Sequence, residues 1–451
     1  MNPRSSNNGR MAERGSILVL VLWISFGLIV LALYFAHSMG FELRAGDNRV
    51  AAVEAEHAVN GAARYVGHVL SSYATNGAVP DISLYSAENV PVGESTFWLI
   101  GRNDSSALSS DVPTFALVDE ASKININATN VTADMLATLP GMTVELAAAI
   151  IDWRDSDSTT TASGAEDDVY QRLSPARKCK NASFETTDEL RLVYGATLEL
   201  LFGEDANRNG VLDANENDGD VSAPADNRDG RLNPGLLEYV TVYSRQPNTT
   251  STGTNRTSVG NRQALTTLLT QKLGQQRASA IAGQLGPPNT RFTSLLEFYA
   301  RSGMTADEFG QVEGEITAST GRYVEGLVNV NTASEAVLAC IPGIGTEKAP
   351  SLVAQRRSNS RQVNSVAWVK DILSQAQMIQ AGRYLTGQSY QFSADIAAVG
   401  HHGRGYQRTR FVFDMSEGAP KMLYRQDLTG LGWALGSKAR QDVQLARNLS
   451  P

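Results

Sequence analysis

The sequence predicts an α+β fold: a long N-terminal helix packed on a small antiparallel sheet, with a large, mostly helical insertion between the first strands and the last. Three observations predict it. Ser16–Gly40 is a twenty-five-residue run without a formal charge, and helical spacing continues past it to Tyr73. Strand-like stretches occur in two distant places, within 95–119 and 390–428. Between them, from about 129 to 385, helical patterns and loops dominate.

The charge-free run comes first. At ~1.5 Å per residue it spans roughly 37 Å, enough to cross a ~30 Å hydrocarbon core with some tilt. Arg4, Arg10 and Arg14 precede it against the single acid Glu13, so the tail is expected to stay cytoplasmic and the rest to lie across the membrane. A cleaved secretory signal is the rival reading, since Ala36-His37-Ser38 loosely resembles a small-x-small site. Signal cores run only ~7–15 residues, which favours a retained helix. Beyond the run, Val50, Val53, Ala58, Ala62, Tyr65, Val66, Val69 and Tyr73 recur at three- and four-residue steps. The whole reads as one helix of roughly 60 residues whose outer half packs its apolar face on a sheet.

The strands are expected at Ser95–Gly101, Phe115–Asp119, Tyr390–Val399, Thr409–Met415 and Lys421–Leu428, from alternation and β-favouring residues. An insertion between them is tolerated when its ends meet. This gives the divisions 1–15 leader, 16–40 transmembrane helix, 41–128 outer helix and first strands, 129–385 insertion, and 386–451 closing strands and tail. Inside the insertion lies a repeat. Ile124-Asn125-Ile126-Asn127 leads to a helix, a turn at Pro140-Gly141 and a second helix. Val328-Asn329-Val330-Asn331 leads to the same series around Pro342-Gly343-Ile344-Gly345, with the copies out of step by two residues. Both resemble helix-hairpin-helix units, whose glycine turn offers amides to a nucleic-acid phosphate. The first hairpin lacks the second glycine and is followed by Glu145, Asp152 and Asp155, whereas the second has Lys348, Arg356 and Arg357 downstream. A net charge of −8 and a pI near 5.3 also argue against nucleic acid. A scaffold role for the hairpins is favoured.

Cys179 and Cys340 suit either one bridge or two small buried thiols. The five histidines show no zinc spacing, and no nucleophile elbow or phosphate loop is present, so no enzyme is expected. His401-His402, in a glycine-rich turn, reads as an exposed hairpin tip.

The sharpest chemical motif runs from Asp205 to Glu216, fitting D-x-[DN]-x-[DN]-G-x5-E at every specified position. Ca²⁺ takes six to eight oxygens. Asp205, Asn207 and Asn209 would offer side chains, Val211 its carbonyl, Asp213 a direct or water-mediated ligand and Glu216 a bidentate carboxylate, with Gly210 at the sharp turn. The following Asn217-Asp218-Gly219-Asp220 does not readily continue a helix, so a free-standing calcium loop is expected rather than an opening sensor. The C-terminal strands are expected to make no use of the metal. Nine acids face two bases between Glu199 and Gly230, a density that a cation would relieve. Asp218, Asp220, Asp226, Asn227 and Asp229 form a candidate second calcium site. Asp155, Asp157, Glu166, Asp167 and Asp168 form a third acidic group without assigned ligands.

Arg14-Gly15 before the apolar helix looks like a prepilin processing site. With IIDWRDSD, GAEDDVY, NVNTASEAVLACIPGI and the large insertion, the chain resembles the minor pseudopilin K family of type II secretion. The resemblance implies a pilin-like helix and sheet, and cleavage by prepilin peptidase between Gly15 and Ser16 with methylation of the new terminus. It implies a single pass through the bacterial inner membrane with the C-terminal domain in the periplasm. It also implies a place at the tip of the pseudopilus with minor pseudopilins I and J and the major pseudopilin, and calcium in the insertion. Most pilins carry glutamate at the fifth mature position; Leu20 stands there in this chain, and lacking the glutamate agrees with the K family. The alternatives are a membrane-anchored helix-hairpin-helix DNA receptor and a calcium-binding minor pilin or adhesin.

Overall fold

A computed structural model describes residues 13–102, 113–358 and 364–449. Helix α1 spans Glu13–Tyr73, 61 residues without a break. Its large apolar side chains from Ile17 to Leu43 all stand exposed, and it is long and apolar enough to cross a membrane. From Ala51 onward one face turns inward: Ala55, Ala58, Val59, Ala62, Val66 and Leu70 are buried. The small residues let the helix lie close to a sheet of large ones.

That sheet contains β1 (Val90–Val92), β2 (Ser95–Ile100), β3 (Val118–Asp119), β4 (Gln391–Val399), β5 (Tyr406–Asp414) and β6 (Lys421–Asp427). The order is β1-β2-β4-β5-β6, antiparallel, with β3 beside β4. Ile396 stands between Leu99 and Thr409, and every residue of β4 is buried. Alternation divides its side chains. Phe392, Ala394, Ile396 and Ala398 meet α1 together with Phe97, Leu99, Phe411 and Phe413. Ala397 and Val399 join Trp98 and Ile100 under Ala434 and Leu435, which lead into the C-terminal helix Gly436–Leu449. The strands therefore come from the two distant stretches that the pattern indicated; only β1 was not anticipated.

The insertion has its own core, and its repeat is structural. Ile124-Asn125 pairs in parallel with Val240-Thr241, and Val328-Asn329 with Leu385-Thr386. The first copy carries α2 (Ala133–Leu136) and α3 (Val144–Arg154), the second α4 (Glu335–Ala339) and α5 (Gly345–Ser358). Thr132, Thr143 and Ser334 cap α2, α3 and α4 through their hydroxyls. Arg154, at the end of α3, donates to the carbonyls of Ile126 and Val131. Arg356 repeats this with Val330 and Ala333. Gly343 turns at φ +88, and a Cβ there would come within 2.7 Å of the Gln377 carbonyl. The turn is packed against its own domain.

Entry and exit lie together: Asp119 pairs with Phe392, and its carboxylate accepts from Ser389 at 2.6 Å and Thr332 at 2.5 Å. Both cysteines are free and buried.

The β4–β5 hairpin corrects one expectation. His402 is exposed, but His401 is buried, with Nδ1 2.6 Å from Glu54 and Nε2 2.8 Å from Asp47 on α1. Gly400 and Gly405 permit the approach, since a Cβ at either would lie within 2.3 Å of Ala51 backbone atoms. The hairpin is strapped to the helix.

Candidate functional site

Gly15 and Ser16 fall in the first turn of α1, where the side chains lie outside the described residues.

The Asp205–Glu216 loop leaves a short helix, Leu198–Phe202, capped by Thr197. Its base is closed by two glycines at positive φ. A Cβ on Gly203 would be 2.1 Å from the Asn233 carbonyl, and one on Gly235 2.4 Å from the Gly203 amide. Within the loop, Asp205 accepts from the amides of Asn209 and Gly210, both at 2.9 Å. Asn207 accepts from the Asn209 amide at 3.0 Å, and Asn209 from that of Val211 at 2.8 Å. Glu216 returns to accept from Ala206 at 2.9 Å and Asp213 at 3.0 Å. Gly210 makes its turn at φ +72.

These contacts gather Asp205, Asp213 and Glu216 into one short loop, with Asp205 and Glu216 buried. Burial, reinforced by the Asp205 and Asp213 carboxylates, pushes the Glu216 carboxyl up to about 8. Burial likewise raises Asp205, with Arg102 opposing. Asp213 is held by the amide nitrogens of Asn207 at 2.6 Å and Asn209 at 3.2 Å. Among the described residues, no three His, Cys, Asp or Glu side chains stand close enough to hold a metal. By donor type and order the loop would suit calcium, although its carboxylates do not converge on one point here.

The second candidate is more open. Asp226 accepts from the amides of Asp218, Gly219 and Arg228 at 2.8 Å each. Asp218 accepts from Ser222, Asn227 donates to Asp229 at 3.2 Å, and Asp220 is exposed. Glu204, which the sequence did not single out, is buried beside Asp226 and Asp229, and burial followed by those charges raises its carboxyl.

In the third acidic group the structure brings Asp155 and Glu166 together with Asp152 and Asn181, neither of which the sequence reading placed in that group. Among the described residues, neither Glu166 oxygen has a hydrogen-bond donor, nor does Asp155 Oδ1 or Asn181 Oδ1, and Glu166 is only 3% exposed. Burial, then Asp152 and Asp155, raise the Glu166 carboxyl. Asp157, Asp167 and Asp168 point elsewhere: to Thr159, to the Cys179 amide and to Arg172.

The sheet is not independent of the first loop. Arg408 of β5 donates to the carbonyls of Asn207 and Arg208, the latter at 2.8 Å, and Arg102 donates to the Arg208 carbonyl at 3.0 Å. These contacts between sheet and loop backbone were not anticipated from the sequence.

A model of the family described as type II secretion system protein K matches residues 115–201. The type II secretion system protein K of Pectobacterium carotovorum subsp. carotovorum is 26% identical over 211 residues, 42% of this chain and 61% of the relative. The chain thus spans about three fifths of the length of that curated relative. A solved structure, the GspK-GspI-GspJ complex of the enterotoxigenic Escherichia coli type 2 secretion system, matches at 11% identity and a TM-score of 0.40, covering 86% of this chain and 99% of that one. Motifs and match agree over one stretch: residues 115–201 are similar to the type II secretion protein K family.

Proposed function

We propose that the chain is a minor pseudopilin of a type II secretion system, a structural component that caps the tip of the periplasmic pseudopilus driving protein export. The observation that carries the reading is the join between α1 and the head. One continuous helix is exposed and apolar through its first half and buried against a sheet in its second, and a large insertion widens the head. Such a helix serves both as membrane anchor and as filament stem, while a bulky head leaves little room for another subunit above it. Minor pseudopilins I and J and the major pseudopilin are the partners, and prepilin peptidase the processing enzyme. The inner membrane holds the stem, with the head in the periplasm and Ca²⁺ in the Asp205–Glu216 loop. Calcium supplies charge neutralisation there; Asp205, Asn207, Asn209, Val211, Asp213 and Glu216 hold it.

The test is the mature N terminus, read by mass spectrometry from membranes. A chain beginning at methylated Ser16 supports the reading, and one beginning near Met39 overturns it. Micromolar, salt-sensitive binding of duplex DNA by the full chain would favour the DNA receptor instead.

A further inference from the structure

The backbone of the Asp205–Glu216 loop is gripped from outside at its third and fourth positions. Arg408 is fully buried in the sheet, holding Asp395 through Nε at 2.8 Å and Nη2 at 2.7 Å. Its Nη1 reaches the Asn207 carbonyl, and Nη2 reaches that of Arg208. Arg102, just past β2, shares the Arg208 carbonyl while pairing with Glu238 at 2.8 Å. From the far side, the Asn207 amide donates to the Trp433 carbonyl at 3.2 Å, at the approach to the C-terminal helix. The chain turns at Arg208 with φ +57, a conformation unusual for a residue with a side chain. That turn aims consecutive carbonyls at one guanidinium.

We propose that the loop is a calcium-dependent clasp that locks the insertion onto the sheet. The proposal rests on the calcium reading of this loop and adds what binding would do. The same residue, Asn207, offers its side chain to the ion and its carbonyl to Arg408. An ion that draws in Asp205, Asn207, Asn209 and Glu216 fixes the backbone at 207–208. Without it, nothing draws the side chains of Asp205, Asn207, Asn209 and Glu216 onto a common centre, and the backbone at 207–208 is held from the sheet side alone. When the backbone loosens, fully buried Arg408 loses two charge-assisted hydrogen bonds. Coupling of this kind is reciprocal: calcium tightens the dock, and the dock tightens calcium.

Hydrogen–deuterium exchange on the full chain in detergent, with calcium chloride and with chelator, tests this. Calcium should raise protection about tenfold or more in 205–216 and also in 406–414. Arg408→Met keeps the aliphatic stem and removes the donors. It should abolish the response of 406–414 and weaken calcium binding by about 5- to 30-fold. Arg102→Gln, at a partly exposed side chain, tests the same coupling if Arg408→Met fails to fold; it should weaken calcium binding by about threefold or more. Calcium protection confined to 205–216, or an affinity unchanged in a folded variant, overturns the clasp and leaves the calcium reading standing. No calcium response in 205–216 overturns both.

Discussion

Glu216 concentrates the chemistry of its loop in one side chain: it is buried, accepts two backbone amides, and faces two other carboxylates. If calcium binds the folded chain alone, a hundredfold excess over Kd stabilises by about 2.7 kcal/mol. The parent should melt several degrees higher in calcium than in chelator, and Glu216→Ala should melt at the same temperature in both. A parent that ignores calcium would remove the ion from this account. Glu313 makes a different prediction, about pH. Burial pushes its carboxyl up to about 7, while bonds from Ser365 and Val366 only partly offset this. In the unfolded chain it titrates near 4.3. Between those values the folded state binds more protons, so this group's contribution to stability falls as pH rises from about 4 to about 7. Glu313→Gln keeps an acceptor for the Val366 amide and removes the titration. Urea midpoints should therefore show the variant gaining on the parent by about 1–3 kcal/mol as pH rises from 5 to 7.5. A constant gap between the two curves would contradict this assignment.

At the scale of elements, α1 shows how composition sets packing. Ala55, Ala58 and Ala62 face Phe97, Phe392 and Phe411, small against large. Ala62→Leu should overpack this interface and cost about 1–3 kcal/mol, whereas Val53→Leu on the exposed face should stay within about 0.5. Thermal melts of the two variants separate a packed face from a free one. These elements were legible because each leaves a local trace: a charge-free run, a three-four spacing, alternation in 391–399. The repeat was legible too, through Ile124–Asn127 and Val328–Asn331. The parallel strands that close it, at 240–241 and 385–386, are two residues long and leave no periodicity. His401 was misread because its partners Asp47 and Glu54 stand about 350 residues away. The Asp205–Glu216 loop was legible as a twelve-residue motif, yet nothing local announced Arg102 and Arg408. Asp152 and Asn181 escaped for the same reason, since only the fold brings them to Glu166.

At the scale of the whole molecule, the chain divides its labour along α1. Among the described residues, the side chains from Ile17 to Leu43 bury nothing within the protein, while the second half is bound to the head by Ala51 beneath the β4–β5 hairpin and by the alanine face beneath the sheet. Everything that holds the head together therefore begins near Ala51, some 35 residues after the processing position read at Gly15–Ser16. Maturation and folding should be separable. A bulky side chain at Gly15 would obstruct a peptidase that requires a small residue there, yet reach no contact in the head. Gly15→Leu should accumulate as the longer precursor on immunoblots of membranes, fail to complement secretion in a strain lacking the parent gene, and still give the parent's protease-resistant head fragment. If Gly15→Leu matures and supports secretion like the parent, the processing site is misassigned. If it instead loses the resistant fragment, the first turn of α1 contributes to the fold in a way that its distance from the head does not suggest.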